Sequence, residues 1–184
     1  MTSKFFVEIG SCDFDTCLPL AANGWRGIVV EPHSEIFPTV QEMFAPYDVV
    51  CAQCVVTEEN ALVPFRESSG SGWQRGISHV DNDTHYGAKL STKPANKRLF
   101  GEAMFVEGVT LDKLLDDNEV EEIDFLKIDT EGHEVNILRE YSWRVRPKFI
   151  KVEHKHTDDL LICKILRFAG YMTWTERDDI YAVG

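Results

Sequence analysis

Short apolar runs recur along the chain, each stopped by a small, charged or turn-forming residue, and helix-spaced segments lie between them. Lys4 to Ile9 reads as a buried strand broken at Gly10. Asp15 to Asn23 has helical spacing through Leu18, Leu20 and Ala21, with Asn23-Gly24 as its stop. Gly27 to Glu31 is a second buried strand, ended by Pro32, and Ser34 is placed to cap a helix reaching about Phe44 with Pro38 in its first turn. A third strand covers Asp48 to Val56. Strand, helix, strand, helix, strand predicts a parallel sheet built from right-handed crossovers.

The pattern then lapses. From Arg66 to Arg98 neither the strand nor the helix period is sustained, and Ser68-Ser69-Gly70-Ser71-Gly72 is followed by isolated Trp73, His79, His85 and Tyr86 and by a basic stretch at Lys89, Lys93, Lys97 and Arg98. Structureless segments of this length in a domain are usually functional loops or disordered, and the isolated aromatic and His residues favour a mobile lid over a plain linker at about residues 67–100. Order returns with a strand at Ala103 to Val109 and a short helix capped by Thr110. Glu122 to Asp129 is a fourth core strand and Glu131 to Glu140 a helix, and Pro147 to Glu153 is a fifth strand. Asp158 to Ala169 is an amphipathic helix closed by Gly170. Tyr171 to Thr175 and Ile180 to Val183 form a terminal hairpin. The expected architecture is one α/β domain over residues 1–184, a mostly parallel, Rossmann-like sheet with helices on both faces.

Composition narrows the partners. With 19 Lys and Arg against 31 Asp and Glu, the net charge of −12 opposes a nucleic-acid backbone or an anionic membrane. No apolar run approaches the ~20 residues that span a bilayer. The start Met1-Thr2-Ser3-Lys4-Phe5-Phe6-Val7 has no secretory-signal pattern. Five cysteines without a disulfide-like framework fit a reducing cytoplasm. Cys51 and Cys54 have zinc-like spacing, but three apart on a strand they face opposite ways, which makes them core thiols.

Candidate chemistry gathers where strands end, because parallel sheets bind ligands at the carboxyl ends of their strands. Gly10 lets the chain turn sharply after the first strand. Only one glycine stands where a dinucleotide site would need Gly-x-Gly-x-x-Gly, and Asp13 and Asp15 would repel a phosphate. A cationic or zwitterionic ligand suits this loop. Glu31, about 20 residues on, is placed to accept from both hydroxyls of a ribose. The fourth strand runs into a burst of charge at Lys127, Asp129, Glu131, His133 and Glu134, and the fifth into Glu153, His154 and His156. A histidine at that rim is a candidate general base. Spacing does not demand a metal, and none is predicted, although Asp129, Glu153 and the histidines have suitable ligand types.

Four blocks together resemble the FkbM family of S-adenosylmethionine-dependent methyltransferases over essentially the whole chain. They are Phe6-Val7-Glu8-Ile9-Gly10 with Asp15-Thr16, Val29-Val30-Glu31-Pro32, Val109-Thr110-Leu111-Asp112, and Phe125-Leu126-Lys127-Ile128-Asp129-Thr130-Glu131-Gly132-His133-Glu134. The resemblance implies a methyltransferase sheet with a reversed terminal strand, and O-methylation of a sugar or another hydroxylated small molecule. It implies S-adenosylmethionine as cofactor, its amino-acid end at Glu8 and Gly10, its ribose at Glu31, and its adenine flanked by about Gln53 to Val55, including Cys54. Ser11, Asp15 and Pro32 are expected among its neighbours, and Asp129 at the methyl-donor end with Glu131 near it. Phe14 stands where relatives commonly carry a second glycine, and Ser11-Cys12 where they carry Ala-Asn.

Methyl transfer to a hydroxyl requires an acceptor in line with the methyl group and removal of a proton. His154 is the expected base, with Asp129 as the second candidate and Glu131 near it. The rival readings are a nicotinamide oxidoreductase, disfavoured by the missing glycines, and a catalytically silent nucleoside-binding or interaction module. The acceptor and the oligomeric state are not legible in the sequence.

Overall fold

The apolar runs become strands in the computed structural model, which describes residues 3–14, 16–81 and 98–184. β1 (Phe5–Ile9), β2 (Arg26–Val30) and β3 (Val49–Ala52) alternate with helices α1 (Leu18–Ala22) and α2 (Phe37–Phe44). β4 (Val55–Val56), β5 (Leu62–Arg66), β6 (His79–Val80) and β7 (Met104–Val109) follow, with a 3-10 helix at Gly72–Ile77. Then come α3 (Leu111–Asp117), β8 (Phe125–Ile128), α4 (Glu134–Glu140), β9 (Phe149–Glu153), α5 (Asp159–Phe168), β10 (Met172–Glu176) and β11 (Asp179–Val183).

Seven strands form the main sheet in the order β10-β11-β9-β8-β1-β2-β3. Only β11 runs against the rest, pairing antiparallel with both β9 and β10. This is the mostly parallel, Rossmann-like sheet expected from the sequence, with its reversed strand in the terminal hairpin. Alternate residues of β1 and β2 feed two separate cores: Val7, Ile9, Ile28 and Val30 pack with Leu115, Leu138, Ile162 and Leu166. Phe6 and Val29 pack with Val40 and Phe44 on the other side. A sheet covered on both faces explains why its strands read as continuous apolar runs.

Several boundaries differ from the sequence reading. The third strand breaks at Gln53, and Val55–Val56 leaves the main sheet to pair with Gly108 and Val109 of β7. There it joins a second sheet, β4-β7-β5-β6, whose buried side is Val55, Val63, Phe65 and Val80. Helix α1 begins only at Leu18, with Pro19 in its first turn, where a proline costs no backbone bond. Ser34 does not cap α2; its N–H and Oγ donate instead to Glu67, at 2.6 and 2.9 Å. Thr110 does cap its helix, accepting from the Lys113 N–H at 3.1 Å. Helix α4 starts at Glu134 rather than Glu131, because Glu131 and Gly132 turn through positive φ.

The segment read as patternless is partly ordered, through the 3-10 helix and β6. Residues 82–97, with His85, Tyr86, Lys89, Lys93 and Lys97 of the expected lid, lie outside the described residues, as does Asp15. Among the described residues no helix is long and apolar enough to cross a membrane.

Candidate functional site

Chain order reverses between β1 and β8: from β1 the sheet grows one way through β2 and β3, and from β8 the other way through β9. Loops leaving neighbouring strands at such a point diverge and open a crevice. Here the crevice is a groove floored by Gly10, Ser11, Cys12 and Phe14 after β1, Glu31 and Pro32 after β2, and Cys54 to Val56 beyond β3. Asp129, Thr130 and Glu131 after β8, with Glu153 and Lys155 at the end of β9, complete the floor. Phe65 and Val80 of the second sheet and Trp73, Arg75, Gly76, Ile77 and Ser78 of the 3-10 segment form the opposite wall.

The first loop is held tightly over β2. The N–H groups of Gly10 and Ser11 both donate to the Val30 carbonyl, at 3.0 and 3.1 Å. Gly10 has φ +77°, and Cys12 also takes a left-handed conformation at +48°. That turn aims the Cys12 N–H at Glu31 Oε2, 2.6 Å away, while His33 N–H donates to Oε1 at 2.8 Å. Burial pushes the Glu31 carboxyl above its usual range, opposed by these two N–H groups. Each carboxylate oxygen keeps a further acceptor site, so a vicinal diol still finds two partners. Ser11 Oγ is buried in the groove and has no hydrogen-bond partner among the described residues. Burial pushes the thiols of Cys12 and Cys54 up to about 12, so neither is a thiolate nucleophile at neutral pH.

At the other end, Asp129, Glu131 and Glu153 bring carboxylate oxygens within 4.8 Å of one another. Hard divalent cations favour such ligands, so the fold assembles a candidate set that sequence spacing did not reveal. His156 Nε2 lies 3.3 Å from Glu131 Oε2. Burial, then the charges of Glu153, Asp129 and Glu134, push Glu131 up to about 9. Burial, then Asp129 and Glu134, push Glu153 up to about 8. Glu134 supports the turn from below, its Oε1 accepting from Thr130 N–H and Oγ at 2.8 and 3.0 Å and from Gly132 N–H at 3.1 Å. His133 is buried against Glu58, at 2.6 Å, and Thr57, at 3.1 Å.

The carboxyls of Glu131 and Glu153 sit above their ordinary value of 4.5 in the folded protein, so folding favours their protonated forms. That contribution is complete below the unfolded value and is lost as pH rises through about 8 to 9. Stability is therefore expected to fall steadily from about pH 5 to about pH 9, as read by urea unfolding. Glu131→Gln should remove much of that slope. An unfolding midpoint that stays flat in this window would contradict the crowding described.

Of the residues singled out from the sequence, Gly10, Ser11, Glu31, Pro32, Cys54, Asp129 and Glu131 line the groove. Glu8 does not. It is fully buried, Oε1 at 3.1 Å from Lys127 Nζ and Oε2 accepting from Cys17 N–H at 2.8 Å, because strand register sets it opposite Lys127. Gln53 is exposed and outside the groove, in the break between β3 and β4, while Cys54 turns inward. His154 also stays out: its N–H prolongs the ladder to Asp178, and its ring Nε2 meets the Arg177 carbonyl at 3.2 Å. Its neighbours Glu153 and Lys155 line the groove instead. The wall residues Trp73 and Arg75 were not foreseen as site residues; the isolated Trp73 in a Gly- and Ser-rich stretch was their one signal.

A family model described as the methyltransferase FkbM domain matches residues 7–172. No curated protein matches the chain. Among solved structures it is similar to the ribosomal protein L11 methylase from Lactobacillus delbrueckii subsp. bulgaricus, at 9% identity and a TM-score of 0.46, over 99% of this chain and 69% of that one.

Proposed function

The chain belongs to the FkbM methyltransferase family, and from that premise we propose that its groove binds S-adenosylmethionine and serves O-methylation of a hydroxylated small molecule or sugar. The observation that carries this reading is the groove at the reversal of strand order, with an acid for a diol at one end and a carboxylate cluster at the other. The lining fits that cofactor. Glu31 has acceptor sites left for ribose hydroxyls, Ser11 Oγ is a buried polar atom without a partner among the described residues, and Val55, Val56 and Ile36 offer apolar surface for a base. When bound, the cofactor supplies a methyl group on a cationic sulfonium, which needs no further activation.

The chain's own residues would then position the acceptor and take its proton. Asp129, Glu131 and Glu153 surround the end where a sulfonium charge is best tolerated. In this reading one of these carboxylates would take the proton of the acceptor hydroxyl, and the bound cofactor would supply the methyl group. A carboxyl near 8, as burial makes Glu153, is suited to that transfer around neutral pH. Five free cysteines are consistent with a reducing cytoplasmic setting, and the net charge of −12 with a small-molecule acceptor rather than a nucleic acid or a membrane.

Isothermal calorimetry with S-adenosylmethionine, S-adenosylhomocysteine and NAD tests the cofactor, and transfer of labelled methyl to a panel of sugars and hydroxylated metabolites tests the chemistry. Binding of the two sulfur compounds but not NAD, at micromolar affinity, and labelled methyl carried onto a hydroxyl of at least one acceptor are expected. NAD binding alone points to an oxidoreductase, and binding without transfer to any acceptor points to a silent nucleoside-binding module.

A further inference from the structure

The 3-10 segment brings a cation over the first loop. Arg75 Nη2 lies 2.6 Å from Asp13 Oδ1 and also bonds Oδ2, so a single nitrogen of the guanidinium serves both oxygens. Arg75 Nε is buried and has no acceptor among the described residues. The segment is seated by contact between Gly76 and the first loop. A Cβ on Gly76 would stand 3.0 Å from the Phe14 ring and 3.9 Å from Cys12 Sγ, which leaves little room for a side chain there. Arg75 is thus held at the groove with its planar fork half used.

Charge elsewhere in the groove is unevenly spread. Lys155 is the other Lys or Arg among the described lining residues, and its charge already acts on Glu131 and Glu153. An anionic group brought to Lys155 would meet those carboxylates. An anion brought to the first loop meets Asp13 as well, but also Arg75, whose Nε–H has no acceptor among the described residues and whose fork matches a carboxylate in two parallel N–H bonds.

Resting on the cofactor reading above, we infer that Arg75 binds the α-carboxylate of the methionine half of the cofactor, through Nε and through Nη2 shared with or released by Asp13. The ammonium and sulfonium then face the acidic end, and the single negative charge of the ligand faces the single guanidinium of the lining. Asp13 holds Arg75 in place while the groove is empty.

The bland alternative is a latch between loop and wall that never touches ligand. Two ligands separate the cases: S-adenosylhomocysteine carries the carboxylate, and 5′-methylthioadenosine keeps the nucleoside and thioether without it. Arg75→Gln is expected to weaken S-adenosylhomocysteine about tenfold or more in calorimetry, the loss of charge-assisted hydrogen bonds, and to leave methylthioadenosine within about twofold. Equal loss for both ligands overturns the assignment in favour of the latch. Unchanged binding of S-adenosylhomocysteine overturns it too. Wild-type protein that binds neither ligand overturns the cofactor reading and this assignment with it, an outcome distinct from failure in the variant alone.

Discussion

Gly10→Ala is expected to lose about 4 kcal/mol or more of folding stability and all measurable binding of S-adenosylhomocysteine. A Cβ at Gly10 would lie 1.8 Å from the Asp129 carbonyl oxygen and 2.8 Å from its carbon. Both are backbone atoms, so no rotamer relieves the overlap. The two strands are bound together at that level, with Ile9 opposite Ile128 and the Asp129 N–H on the Ile9 carbonyl at 2.9 Å. The methyl group can be admitted only by parting β1 from β8 where the groove opens. Gly24 is the control, since its φ of +81° is just as left-handed but an added Cβ meets nothing within 4 Å. Gly24→Ala should cost about 1 kcal/mol, the conformational strain alone. Urea unfolding of the two variants separates steric overlap from backbone strain, and equal losses would refute the close approach at Gly10.

That close approach also shows which parts of the site were legible. That Gly10, Glu31 and Asp129 line one groove was legible because each follows a buried strand, and a parallel sheet brings such positions to one edge whatever the details of packing. Glu8 was expected beside the cofactor but lies outside the groove lining, for a reason local pattern cannot supply. Its side-chain direction follows from strand register, and only the pairing of β1 with β8 puts it opposite Lys127. His154 and Glu153 are adjacent, so a one-residue difference at the strand end decides which faces the groove. The ladder to Asp178 makes that decision from 24 residues away. The split of the third strand likewise depends on β7, since Val55 and Val56 look like a continuation of Val49 to Ala52 until a second sheet claims them. Arg75 was hidden because its segment has neither period, and its role arises from contact with Asp13 and Phe14 in a loop 62 residues earlier for the ion pair.

Lys127→Met is expected to destabilise the protein by about 3–5 kcal/mol at neutral pH, because it leaves Glu8 in the core without its counter-ion. Burial already raises the Glu8 carboxyl, and Lys127 is the largest influence opposing that rise. Without the lysine the folded-state value must climb further, so the variant's stability should be nearly retained at about pH 5 and lost as pH rises through the folded value. Adding Glu8→Gln should restore all but about 1–2 kcal/mol, since a neutral amide avoids the buried charge and its carbonyl can still accept from the Cys17 N–H that Glu8 serves at 2.8 Å. Replacing Glu8 by an apolar residue would orphan that N–H at the start of α1, so leucine should rescue less than glutamine. Urea unfolding at about pH 5.5 and about pH 8 reads all three variants. A loss that ignores pH and is not repaired by the second substitution would mean that Lys127 acts by packing alone. The same double variant decides what Glu8 is for: if it only anchors Cys17 and the loop above, the refolded double variant binds S-adenosylhomocysteine like wild type, whereas a cofactor contact at Glu8 would leave it folded but weak.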